Sequence, residues 1–131
     1  MMIMPTNGTY SWLHYWAGRA PGSVGHLYSP GGQRGPCSWV PYALDNGAFK
    51  GFVEGKWKAL LRWACLSGQP PLWAAVPDVV SDSKATSARW DEFSPEAARY
   101  GWPLAFVVQD GHEPDDVPAD AGVIFVGGST E

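Results

Sequence analysis

The sequence predicts an α/β fold assembled from parallel βα units. Continuous apolar runs recur at Val40–Leu44, Leu72–Val76, Leu104–Val108 and Val123–Val126, as expected for strands buried on both faces. Between the middle runs the apolar residues switch to helical spacing, the signature of crossover helices. The chain has 131 residues, 45% hydrophobic and 17% charged. That suits one packed domain and argues against disorder. It is too short for a closed eight-fold α/β barrel, which needs ~250 residues. The expected organisation is one domain over residues 1–131, with a loop-rich part (1–36) followed by the βα units (37–131).

Taken in order, Tyr10 to Trp16 is an aromatic run that reads as a strand or a buried turn. Gly25–Tyr28 is a brief strand. It runs into Ser29-Pro-Gly-Gly-Gln-Arg-Gly-Pro36, a turn cluster unsuited to any regular element. The Val40–Leu44 strand ends at Asp45-Asn-Gly47. Trp57, Leu60, Leu61, Ala64 and Cys65 form the stripe of an amphipathic helix. Gly68 is placed to end it, and Pro70-Pro71 forbids continuation. Ser81-Asp-Ser83 offers N-caps for a second helix with the stripe Trp90, Phe93, Ala97 and Tyr100. Ser94-Pro95-Glu96 resembles a fresh cap with Pro at the first helical position, so a restart is expected there. Pro114 to Pro118 reads as a short link to the last strand.

The chemistry-bearing residues follow the strands. Asp45 follows the Val40–Leu44 strand. Pro77, Asp78 and Asp82 follow Leu72–Val76. Gln109 and Asp110 follow Leu104–Val108, and Gly127-Gly128 follows Val123–Val126. In parallel α/β folds the carboxyl ends of the strands form the ligand mouth. Carboxylates accept from ring N–H groups and exocyclic amines, and a Gln amide both donates and accepts. A Gly-Gly turn lets backbone approach a planar ring closely. Such a set suits a flat polar heterocycle. An Asp at the mouth could also act as acid, base or nucleophile. The competing explanation is that Asp and Asn after a strand are helix caps or Asx-turns. Asp82 is well placed to cap the second helix.

Asp45-Asn-Gly-Ala-Phe49, Val76-Pro-Asp-Val-Val-Ser-Asp82, Val108-Gln-Asp-Gly111 and Phe125-Val-Gly-Gly-Ser-Thr-Glu131 resemble, in order, motifs of the tRNA-guanine (queuine) transglycosylase superfamily. The likeness is greatest to its shorter phage and bacterial members linked to 7-deazaguanine in DNA, and it covers roughly residues 25–131. The family fold is a (β/α)8 barrel, so the resemblance implies about half of such a barrel. It implies a purine or 7-deazapurine base as ligand, taken from DNA or tRNA, with no cofactor. Asp45 matches the family's proton-managing Asp. Asp78 resembles the Asp that binds the base edge, with Asp82 the competing assignment. Gln109 matches the base-reading Gln, Gly127 and Gly128 the pocket-lining turn, and Glu131 a pocket acid beyond it. The family's nucleophilic Asp and its zinc site both lie later than this chain reaches. The resemblance therefore implies base recognition without the attacking group, and no metal.

Other features bound the reading. Nine Lys+Arg against 13 Asp+Glu give a net charge of −4, which excludes a basic nucleic-acid footprint for the whole chain. The one basic stretch is Lys50, Lys56, Lys58 and Arg62, expected to be a solvated helix face. Cys37 and Cys65 lack zinc-type spacing and read as reduced thiols. No run is long enough to span a membrane, and Met1 to Tyr10 does not read as a signal peptide, so a cytoplasmic protein is expected. The Ser29–Arg34 loop could touch phosphate but lacks Walker spacing. His112 could reach the mouth. Trp57, Trp63 and Trp90 are expected in the core, whereas Trp12, Trp16 and Trp39 are freer. Half a barrel would expose strand edges, so a homo-oligomer or a completing partner chain is expected. Three functional classes follow: a transglycosylase-type enzyme or part of one, a base-binding module, and an α/β interaction domain.

Overall fold

Five short apolar segments pair in parallel, in the order of the chain. The strands are β1 (His26–Tyr28), β2 (Tyr42–Leu44), β3 (Ala74–Ala75), β4 (Leu104–Val108) and β5 (Val123–Val126), and they form one sheet in the order β1-β2-β3-β4-β5. The helices are α1 (Tyr10–Arg19), α2 (Glu54–Leu66) and α3 (Ser83–Ala98). This computed structural model describes residues 1–6, 10–31, 36–37 and 39–127. The architecture is the mixed α/β one that the sequence predicts. A doubly wound flavodoxin-like sheet would reverse direction, in the order 2-1-3-4-5, and this sheet does not. Among the described residues no helix is long and apolar enough to cross a membrane.

The main core lies on one face of the sheet. Tyr28, Tyr42, Leu44, Ala74, Val76, Leu104 and Phe106 alternate along the strands toward α2 and α3. From α2 come Trp57, Leu60, Leu61 and Ala64, and from α3 Trp90, Phe93 and Ala97. Trp57 is fully buried, and its indole N–H donates to the Ala75 carbonyl at 3.2 Å. A buried Trp needs such an acceptor for its one polar atom. Trp63 packs at the edge of this core. Lys58, in the predicted basic stretch, bridges Glu54 and Glu96 at 2.7 Å each, tying α2 to α3. The opposite face carries smaller residues, Leu27, Ala43, Ala75, Ala105 and Val107, also buried. Across them Trp73 meets Phe125 edge-on.

Two expectations are corrected. Tyr10 to Trp16 is neither strand nor turn but the start of α1. Leu13 and Ala17, four residues apart, share one helical face and pack with Val40, while Trp12, Tyr15 and Trp16 point outward, 44–54% exposed. An aromatic run of seven has no clear period of its own, and packing on Val40 selects the helical one. The second correction is α3, which does not restart at Ser94 but runs unbroken through Pro95. The missing N–H and the ring cost ~3 kcal/mol in a helix interior. Burial of Trp90 and Phe93 on the sheet contributes ~2–3 kcal/mol each and outweighs it. As predicted, α2 ends near a left-handed glycine, Gly68 (φ 73°), and α3 ends in the same way near Gly101 (φ 75°).

The two sheet edges differ. The chain's start lies along β1: Ile3 bridges Val24 in parallel, and Leu27 N–H donates to the Pro5 carbonyl at 3.2 Å. The link from β4 to β5 contains only a 3-10 turn, Pro114–Asp116. Ile124 and Val126 stand in register with Phe106 and Val108, on the helix-covered side. They are nevertheless 57% and 80% exposed.

Replacing Pro95 with Ala restores the missing helix bond and gives up a little unfolded-state restriction. The expected gain is roughly 2 kcal/mol, with unchanged helix content, read by chemical denaturation. A loss of stability would mean that the proline ring itself packs to advantage.

Candidate functional site

The loops leaving β2, β3, β4 and β5 meet at the carboxyl end of the sheet. Gln109 follows β4 and Gly127 follows β5. Continuing the register of Val107 with Phe125 sets them side by side, on the face away from α2 and α3. The Gly127 N–H donates to the Val108 carbonyl at 2.9 Å and extends the ladder. A Cβ on Gly127 would lie 2.7 Å from Gln109 Nε2 and 3.0 Å from Val107 Cγ1. Glycine is required there because the Gln109 amide occupies that space.

At the centre is Asp78, only 5% exposed. Asn46 Nδ2 donates to Asp78 Oδ1 at 2.7 Å, and Gln109 Nε2 donates to Asp78 Oδ2 at 2.6 Å. Asn46 and Gln109 are themselves buried. Each amide is oriented by a backbone N–H that it must accept: Ala48 N–H donates to Asn46 Oδ1 at 2.8 Å, and Ser81 N–H donates to Gln109 Oε1 at 2.9 Å. A backbone N–H can only donate, so both NH2 groups turn toward the carboxylate. Asn46 Nδ2 also donates to the Val76 carbonyl at 2.8 Å. Ser81 is the only described non-glycine residue at positive φ (61°). Its left-handed backbone is strained, and it carries the N–H that holds Gln109.

Side chains of α3 anchor this loop from behind. Thr86 exchanges hydrogen bonds with both backbone groups of Val79, and the Arg89 guanidinium donates to the Asp78 carbonyl. Burial pushes the Asp78 carboxyl above the ordinary carboxylate range. The Asn46 hydrogen bond opposes the rise, the negative charge of Asp45 adds to it, and the Arg89 charge opposes it. Asp45 is half-buried, and Ser29 Oγ donates to its Oδ2 at 3.0 Å.

The predicted site residues therefore divide. Asp78, Gln109 and Gly127 come together, with Asp45 close enough to act on Asp78 electrostatically. Asp82 does not join them: it is exposed and caps α3, accepting from the Ala85 N–H at 3.0 Å. Gly128, Glu131 and the Gln33-Arg34 part of the glycine-rich loop lie outside the described residues. His112 turns back from the mouth. Its Nδ1 accepts from the Gln109 N–H at 2.8 Å, which leaves Nε2 to carry the proton toward Ser87 Oγ at 3.3 Å. Asn46 and Ser81 were missed. The signal for Asn46 was present in Asp45-Asn-Gly47, where an Asx-turn amide keeps its NH2 free for a second partner.

A separate open groove of about 940 Å³ lies at the other end of the strands, against Trp63, Leu66 and Pro70. It holds none of the strand-end acids. Among the described residues no group of three or more His, Cys, Asp or Glu is placed to hold a metal ion. No family model, curated protein or solved structure matches the chain.

Two outcomes follow from this geometry. Gly127→Ala should displace the Gln109 amide and leave an Asp78 oxygen short of a donor, lowering stability by ~1–3 kcal/mol in denaturant unfolding. A neutral result would mean that Gln109 does not fill the space. The second concerns pH. A raised folded-state value favours the protonated acid, so the stability tied to Asp78 is fully present below its unfolded value. It is lost as pH rises through the folded one. Compared with Asp78→Asn, which does not titrate there, the wild type should lose stability as pH climbs above the ordinary carboxylate value of 3.8. The opposite slope would show that its two donors outweigh burial.

Proposed function

We propose that this chain recognises a purine or 7-deazapurine base through Asp78 and Gln109, and that its one-way sheet corresponds to about half of a (β/α)8 barrel. The observation that carries this reading is the clamped carboxylate. Asp78 keeps acceptor lone pairs beyond the two taken by Asn46 and Gln109, because an ionised carboxylate offers about four. Gln109 keeps one N–H beyond the one given to Asp78. Acceptors beside a donor match a lactam edge: a ring N–H and exocyclic amine toward Asp78, and the ring carbonyl toward Gln109. Guanine and 7-deazaguanine present that edge. An adenine-type edge sets a ring-nitrogen acceptor against the carboxylate.

The strand order supports the barrel part. Parallel crossovers are right-handed, so a sheet that advances in one direction keeps its crossover helices on one side. The recognising groups collect at the carboxyl ends of its strands, where a barrel has its mouth. A base held in DNA or tRNA would have to leave its stack to reach them. Base exchange also needs a nucleophile at the sugar carbon. Asp45 is the acid near enough to influence Asp78, and Ser29 already donates to it. Those engaged carboxylates favour a second reading, a base-binding module that relies on a partner or a further domain for catalysis. The fold and the amide clamp would remain under a third reading, a purely structural domain, but base binding would not.

Calorimetric titration with guanine, 7-deazaguanine and adenine tests the proposal. The first two should bind and adenine more weakly. Asp78→Ala and Gln109→Ala should each weaken binding by ~1–3 kcal/mol. No binding by the wild type, or affinity unchanged from wild type in both variants, rejects the site. Release of labelled guanine from nucleic acid by the chain alone would reject the non-catalytic reading.

A further inference from the structure

Among the described residues, two exposed apolar faces lie on different elements. One is the outer face of α1, where Trp12, Tyr15 and Trp16 follow helical spacing and are 47%, 54% and 44% exposed. Arg19 reaches over the Tyr15 ring at 5.4 Å from its centroid. The other is β5, where Ile124 and Val126 occupy the row that α2 and α3 cover elsewhere in the sheet. Parallel sheets are normally covered on both faces, and exposed apolar strands invite association.

The charges of the chain are segregated between these same regions. Residues 1–44 contain two arginines and no Asp or Glu. Residues 100–131 contain six acids and no Lys or Arg. Five of those acids, Asp110, Glu113, Asp115, Asp116 and Asp120, are exposed on the link that leads into β5. We propose that the α1 face of one copy docks on the β5 face of a second copy, with Arg19 toward the acidic link. Charge decides which surfaces meet. Pairing α1 with α1 would oppose like cations, and pairing β5 with β5 would oppose like acids. Only the crossed pairing is attractive on both counts. The contact joins different surfaces of the two copies, so it closes into a reciprocal dimer or ring, or propagates. It does not depend on what the Asp78 site binds.

Complementation tests this on the whole chain. One variant carries Trp12→Ser and Trp16→Ser, the other Ile124→Thr and Val126→Thr. Light scattering after gel filtration should show the wild type associated and each variant monomeric. An equimolar mixture should regain a dimer, because each variant keeps one intact half of the contact. If the tryptophan substitutions unfold α1, Arg19→Glu leaves the aromatic stripe in place and should weaken association by about two- to fivefold. A monomeric wild type overturns the proposal. So do a variant that associates like the wild type, a mixture that stays monomeric, and an Arg19→Glu affinity equal to wild type.

Discussion

Two parallel strands can be neighbours only if the chain returns to its starting end between them. That constraint organises this molecule. The returns from β2 to β3 and from β3 to β4 are α2 and α3, which bury the tyrosine, leucine and phenylalanine rows of the sheet. Every strand then leaves the sheet at the same end. Asn46, Asp78, Gln109 and Gly127 are separated by 18 to 32 residues in sequence, yet they form one cluster because their strands are in register.

Within that cluster a buried carboxylate dictates the rest. A charge removed from water is tolerable only when it is hydrogen-bonded. Here two side-chain amides supply the donors, and two backbone N–H groups orient the amides. The chain accommodates this with a left-handed Ser81 and a side-chain-free Gly127. Strain and close approach are thus concentrated around one acid. A hydrogen-bonded carboxylate that retains free lone pairs can recognise N–H groups without moving its neighbours.

The link between β4 and β5 is where the covering rule fails. It builds only a 3-10 turn and carries Pro114 and Pro118, so the last strand keeps an exposed apolar face beside an acidic turn. At the other end, α1 turns its aromatic residues outward. These features share a cause. Each lies at an end of the one-way sheet, where there is no further βα unit among the described residues to pack against. An incomplete barrel and a self-associating chain are thus physically compatible readings of one geometry.

Much of the architecture was legible in the sequence, because continuous apolar runs and the helical stripe from Trp57 to Ala64 are local patterns that parallel strands and their helices satisfy; Cys65, counted in that stripe, is exposed. Asp78, Gln109 and Gly127 were legible for a similar reason: each stands within two residues of the end of such a run. Other features needed the tertiary structure. The α1 segment has no period that identifies it until Leu13 and Ala17 meet Val40. Pro95 signals a break that the burial of Trp90 and Phe93 overrides. Asp78 and Asp82 carry the same functional group four residues apart, and only the fold sends one to an amide clamp and the other to a helix cap. Sequence by itself determined which residues are apolar, which are polar and where strands end, since those follow from local chemistry. The choice of partners was left to tertiary structure, because a hydrogen bond across some 30 residues depends on register and burial, which no local pattern encodes.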